Sequence, residues 1–129
     1  MLPRAQRELF GASHENIALV AQSLDLLAEE ARDFLLSRAG AKEKLEERLN
    51  QLGVKMDKSG SASMFGQFEQ QYRVYYPVGT ESSRFLEWHL KKGTNRDPKD
   101  FMRIYFFFDE ETAMVVVGSL PKHVQTPSS

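Results

Sequence analysis

Cysteine is absent from the 129 residues, which excludes a disulfide framework, a thiolate nucleophile and any Cys-based zinc centre. An excess of charge of one sign is lacking too: 17 Lys and Arg stand against 18 Asp and Glu, for a formal net charge of -1. No global field therefore draws the chain to nucleic acid or anionic lipid, and such affinity has to come from a local patch. No apolar run approaches the roughly 18 residues that span a bilayer. The opening residues, Met1 to Glu8, also lack the apolar stretch of a secretory signal. A cytoplasmic protein without membrane partners is the expectation. There is no Walker loop, no G-x-G-x-x-G and no G-x-S-x-G. The three histidines, His14, His89 and His123, form neither an H-x-x-x-H nor an H-E-x-x-H spacing, so neither a metal nor another cofactor is expected.

What is present reads as one α+β domain over 1–129. Residues 1–12 mix charges with Pro3 and Gly11 and show no period, which predicts an irregular, flexible arm. From Ser13, a candidate N-cap, Ile17, Val20, Leu24, Leu27, Ala31, Phe34 and Leu35 follow helical spacing as far as Gly40, a left-handed C-terminal candidate. A second helix is predicted over Ala41–Leu52, stopped by Gly53. The two form an αα-hairpin. Residues 57–63 are small and polar and read as a flexible loop.

Residues 65–78 are rich in aromatic and β-branched side chains and predict a strand at a sheet edge. Ser82 and Ser83 predict a short helix through Leu90, closed by Lys91-Lys92-Gly93. Met102–Phe108 and Ala113–Leu120 read as two strands of a β-hairpin around Asp109–Thr112, and 124–129 as a fraying tail. The expected architecture is a helical hairpin packed on one face of a small, mostly antiparallel C-terminal sheet.

Side-chain alternation puts Arg103, Tyr105 and Phe107 on one strand face, and Arg73 and Tyr75 on one face of the earlier strand. The simplest assembly brings Arg73, Tyr75, Arg103 and Tyr105 together, offering guanidinium forks for phosphate and rings for stacked bases. The same alternation describes any half-exposed sheet. Between residues 89 and 103, however, Lys91, Lys92, Arg96, Lys99 and Arg103 face only Asp97 and Asp100, a local basic patch next to Arg103. His123, with Lys122 beside it, follows the last strand, where a turn can return an imidazole that titrates near neutrality.

His89-Leu90-Lys91-Lys92-Gly93, Arg96-Asp97-Pro98, Met102-Arg103-Ile104-Tyr105-Phe106, Asp109 and Val116-Val117-Gly118, followed by His123, resemble the last strands of the RelE/HigB-like toxins of bacterial toxin–antitoxin systems. The resemblance covers residues 84–126. It implies a RelE-like fold and a small endoribonuclease that cleaves mRNA, often on the ribosome, and is neutralised by a companion antitoxin protein. The implied chemistry is metal-free: a base helps a 2′-OH attack the adjacent phosphate, cations stabilise the developing charge and an acid protonates the leaving oxygen. By the resemblance, Arg103 matches a phosphate-contacting strand arginine and His123 a catalytic acid or base. Arg73, Tyr75, Lys91, Lys92, Tyr105 and Lys122 are the accompanying RNA-binding candidates. Two alternatives stay open: a catalytically inactive relative serving as a protein-binding or regulatory module, and a protein acting on a small phosphorylated ligand at the same arginines.

Overall fold

Pro3 opens the first element, since a proline at the first helical position gives up an N–H that has no intrahelical partner there. The computed structural model describes residues 1–11, 17–59, 72–76, 83–93 and 102–120. Helix α1 runs Pro3–Gly11, where an irregular arm is expected. Tertiary bonds hold this short helix: Leu2 N donates to Val117 O at 2.8 Å, and Glu8 Oε1 accepts from Ser119 Oγ at 2.8 Å and Leu120 N at 2.9 Å. Ala5 is fully buried. These polar bonds, to a strand more than a hundred residues away, anchor the helix beside its buried Ala5.

Helix α2, Ile17–Leu26, passes through a π-turn, Leu27–Ala31, into α3, Arg32–Leu35. Its buried line includes Leu19, Val20, Ser23, Leu26, Leu27 and Ala31, while Ile17, placed on the stripe by spacing, is exposed. The widened turn shifts the phase of the apolar face. Ser37, at φ 58°, takes the left-handed position after α3, whereas Gly40, at φ 74°, precedes α4. Helix α4 occupies Ala41–Leu52, the predicted span, and Gly53 ends it in the left-handed conformation.

The strands are β1 Lys55–Lys58, β2 Arg73–Tyr75, β3 Ser83–Phe85, β4 Trp88–Lys92, β5 Met102–Asp109 and β6 Met114–Ser119. β1, β4, β5 and β6 form an antiparallel sheet in that order, and β2 pairs antiparallel with β3. Two expectations are corrected here. Residues 55–58 are a strand where the loop is expected to begin, and the helix expected from Ser82 to Leu90 is replaced by β3 and β4. Five residues such as Trp88–Lys92 fit a period of 2 as well as 3.6, and the open hydrogen-bonding edge of β5 decides between them. The expected strand residues 65–71, the N-cap Ser13, His14, the basic residues Arg96 and Lys99, and the tail with Lys122 and His123 lie outside the described residues.

All eight residues of β5 are buried, because both of its faces are covered. Leu90, Ile104, Phe106 and Val117 share one core with Leu19, Val20, Leu26, Leu27, Ala31 and Leu45 of the helical segment. Tyr72, Val74 and Leu86 share a second core with Tyr105, Phe107 and Val116. At Gly118 the two layers meet so closely that a Cβ would lie 2.5 Å from Leu86 Cδ2 and 3.2 Å from Val74 Cγ1. Glycine is the residue that admits this approach.

Candidate functional site

The second core covers only part of its sheet face; towards β1 the same face becomes polar. Lys55 pairs with Lys91, and Lys91 with Arg103, so three cations stand in register across β1, β4 and β5. The next row is Asp57, His89 and Tyr105. Directly opposed residues keep their Cβ atoms about 4.5–5.5 Å apart, and like charges at that spacing destabilise a sheet. The row descends from solvent into the protein: Lys55 and Asp57 are exposed, His89 and Lys91 half-buried, Arg103 and Tyr105 buried.

Arg103 is tied to the backbone. Its Nη1 donates to Lys92 O at 2.9 Å and Met102 O at 2.8 Å, and its Nη2 to Gly93 O at 2.8 Å. Burial lowers its pKa from the ordinary value, yet a guanidinium stays charged. These bonds make Arg103 a strut that closes the end of the β4–β5 ladder, in place of the exposed fork that sequence parity suggests. Tyr105 packs its ring, tilted, with centroids 4.8 Å from Tyr72 and 5.4 Å from His89. Burial, then the neighbouring Tyr72, pushes its phenol well above the usual range, so it remains neutral.

His89 is the residue the sequence reading left out of the site. Desolvation first, then the charge of Lys91, lowers its pKa to about 4, with Asp57 opposing and Arg103 adding to the fall. Its Nδ1 lies 3.1 Å from Ser59 Oγ. At neutral pH the ring is uncharged, with an ammonium alongside. An anion seated there would favour the imidazolium and raise the pKa again. The signal was present: once 88–92 is read as a strand, His89 and Lys91 share a face with Arg103 and Tyr105.

The depressed pKa has a measurable consequence. Between pH 6.5 and about 4 the unfolded chain binds a proton at His89 that the folded chain does not, so His89 makes stability fall with acidification through that window. His89→Gln is expected to flatten the midpoint of urea unfolding between pH 6.5 and 4. Asp109, buried and hydrogen-bonded first of all by Tyr76, then by Thr112 and Glu111 N, has its pKa lowered from 3.8. Its stabilisation is therefore lost lower, as pH falls through its own pKa, and remains in the His89 variant.

The structure brings Lys91, Arg103 and Tyr105 together but separates Arg73 and Tyr75 from them. β2 turns Tyr72 and Val74 onto Tyr105 and Phe107; by alternation Arg73 and Tyr75 face the other way. Their expected grouping with Arg103 is thereby corrected. Lys92 alternates to the sheet face opposite Lys91, and its ammonium approaches Gly53. Among the described residues, no group of three His, Asp or Glu side chains could hold a metal ion, and no helix is long and apolar enough to cross a membrane. No family model, curated protein or solved structure matches the chain.

Proposed function

We propose that this chain is a RelE/HigB-like endoribonuclease of the toxin type, acting on mRNA in the cytoplasm, with the ribosome as a candidate platform and a companion antitoxin as its inhibitor. The observation that carries the reading is the in-register row Lys55–Lys91–Arg103 beside an uncharged His89. Such a row lowers the stability of the empty sheet and is relieved by an anion, of which RNA phosphate is the polymeric form. In this reading Lys55 and Lys91 hold the phosphate and Arg103 positions β4 from beneath. His89 takes the proton of the attacking 2′-OH, and His123 gives one to the leaving 5′-oxygen. No metal enters the reaction.

The second reading, a catalytically inactive relative that binds a partner protein, draws support from two features. The Arg103 guanidinium is engaged by backbone carbonyls, and a His89 pKa of about 4 makes a weak base before an anion arrives. Induced expression separates the two. Growth arrest with fragmented mRNA is expected from the wild type; both should disappear with His89→Gln and His123→Ala, and cleavage should fall about tenfold or more with Lys91→Ala. Normal growth and intact mRNA from well-expressed wild type would sink the nuclease reading and leave the binding module.

A further inference from the structure

Ser59 stands one residue beyond β1, and its backbone N donates to Glu87 O at 2.7 Å, which carries the β1–β4 ladder past the Lys58 and Trp88 pair. Alternation then sets its side chain on the face of Lys55, Asp57 and His89. Its hydroxyl lies 3.1 Å from His89 Nδ1. The imidazole is flanked from β5 as well, by the Tyr105 ring at 5.4 Å with a tilt of 38°. With Nδ1 engaged and the ring flanked, Nε2 is the nitrogen left to exchange a proton with a bound molecule.

A neutral imidazole carries its proton on one nitrogen, and the hydrogen bond made by the other decides which. Lys91 and Arg103 are donors only, so an Nε2–H finds no acceptor in them, and their charge repels a further proton on the ring. Tyr105 is neutral, with its phenol bonded to Tyr72. Asp57, in register with His89, is exposed and acts on the imidazole through its charge. A serine hydroxyl both donates and accepts, and can therefore take a bond from Nδ1–H. We infer that Ser59 is a positioning residue: its Oγ accepts from Nδ1–H of His89, fixes that tautomer and leaves Nε2 as the atom that takes the proton of the 2′-OH. The role in catalysis rests on the RNA-cleaving reading; the tautomer does not.

The test begins without RNA. Long-range proton–nitrogen correlation spectra of the full chain at neutral pH, assigned by comparison with His89→Gln, tell a protonated ring nitrogen from an unprotonated one. In the wild type the His89 proton is expected on Nδ1. Ser59→Ala should move it to Nε2, and Ser59→Thr, which keeps the hydroxyl, should return it. Cleavage of a defined mRNA, with and without ribosomes, gives the kinetic arm: kcat should fall about tenfold in Ser59→Ala with KM unchanged, and recover in Ser59→Thr. Thermal unfolding checks that each variant is folded. The inference is overturned by a wild-type proton on Nε2, by a tautomer indifferent to Ser59→Ala, or by an unchanged kcat in Ser59→Ala when the wild type cleaves. A wild type that never cleaves, with the proton on Nδ1, would overturn the nuclease reading instead and leave the tautomer assignment standing.

Discussion

Arg103→Ala is expected to lower the free energy of unfolding by about 3 kcal/mol, seen as an earlier denaturant midpoint with an unchanged slope. Three carbonyl oxygens, on Lys92, Met102 and Gly93, lose a charged donor in a region where Arg103 is 6% exposed. Each bond to a charged group contributes about 1.5–3 kcal/mol, and water that enters the truncated site restores part of the loss. Arg103→Lys should recover little, because a single ammonium cannot reproduce the fork that spans both strands. An arginine kept for phosphate contact would give the reverse result, lost RNA binding with stability intact. The distinction bears on every cellular assay, since failure of Arg103→Ala to arrest growth would report unfolding as readily as lost chemistry. His89→Gln and Lys91→Ala, both at half-buried positions, are the cleaner probes.

Phe106→Ala should cost more, about 3–5 kcal/mol, or a melting temperature lower by about 10–20 °C for a chain of this length. Phe106 has no exposed surface, lies in the core shared by the sheet and the helical segment, and stacks on Trp88 at 6.5 Å with the rings 13° apart. Its neighbours come from central strands and packed helices, which cannot close over the space a ring leaves, so a cavity adds to the lost transfer energy. Phe106→Leu, which keeps most of the volume, should lose less than half as much in the same calorimetric scan. Equal losses from the two variants would mean that the core relaxes freely, against the packing described for β5.

The two variants probe parts of the chain that differ in how far they are legible without a structure. Phe106 belongs to the Met102–Phe108 stretch, whose aromatic and β-branched density reads as a strand on local information. The same holds for its partner Met114–Ser119 and for α4, with a glycine at each end. Arg103 sits in an equally legible strand, yet its role is invisible in the sequence, because its acceptors are set by where β4 ends and the chain turns at Gly93.

The candidate site follows the same division. Lys91, Arg103 and Tyr105 are recoverable from composition and strand parity. His89 is missed because Trp88–Lys92 reads as a helix when taken alone, and Lys55 and Asp57 because a strand with one apolar residue, Met56, carries no strand signal of its own.

By itself, then, the amino-acid sequence determined the α+β class and the exclusion of thiol chemistry from the chain as a whole, and the β5–β6 hairpin and the span of α4 from signals contained within short runs of neighbouring residues. The tertiary structure alone decided that the first residues form a helix, that 55–58 and 88–92 are strands, and that Arg73 and Tyr75 face away from Arg103. In these short segments the local preferences differ by less than the free energy of one or two long-range hydrogen bonds, such as Leu2 N to Val117 O and the Glu8 pair. Partners distant in sequence therefore settle the conformation, and with it which cations share a face.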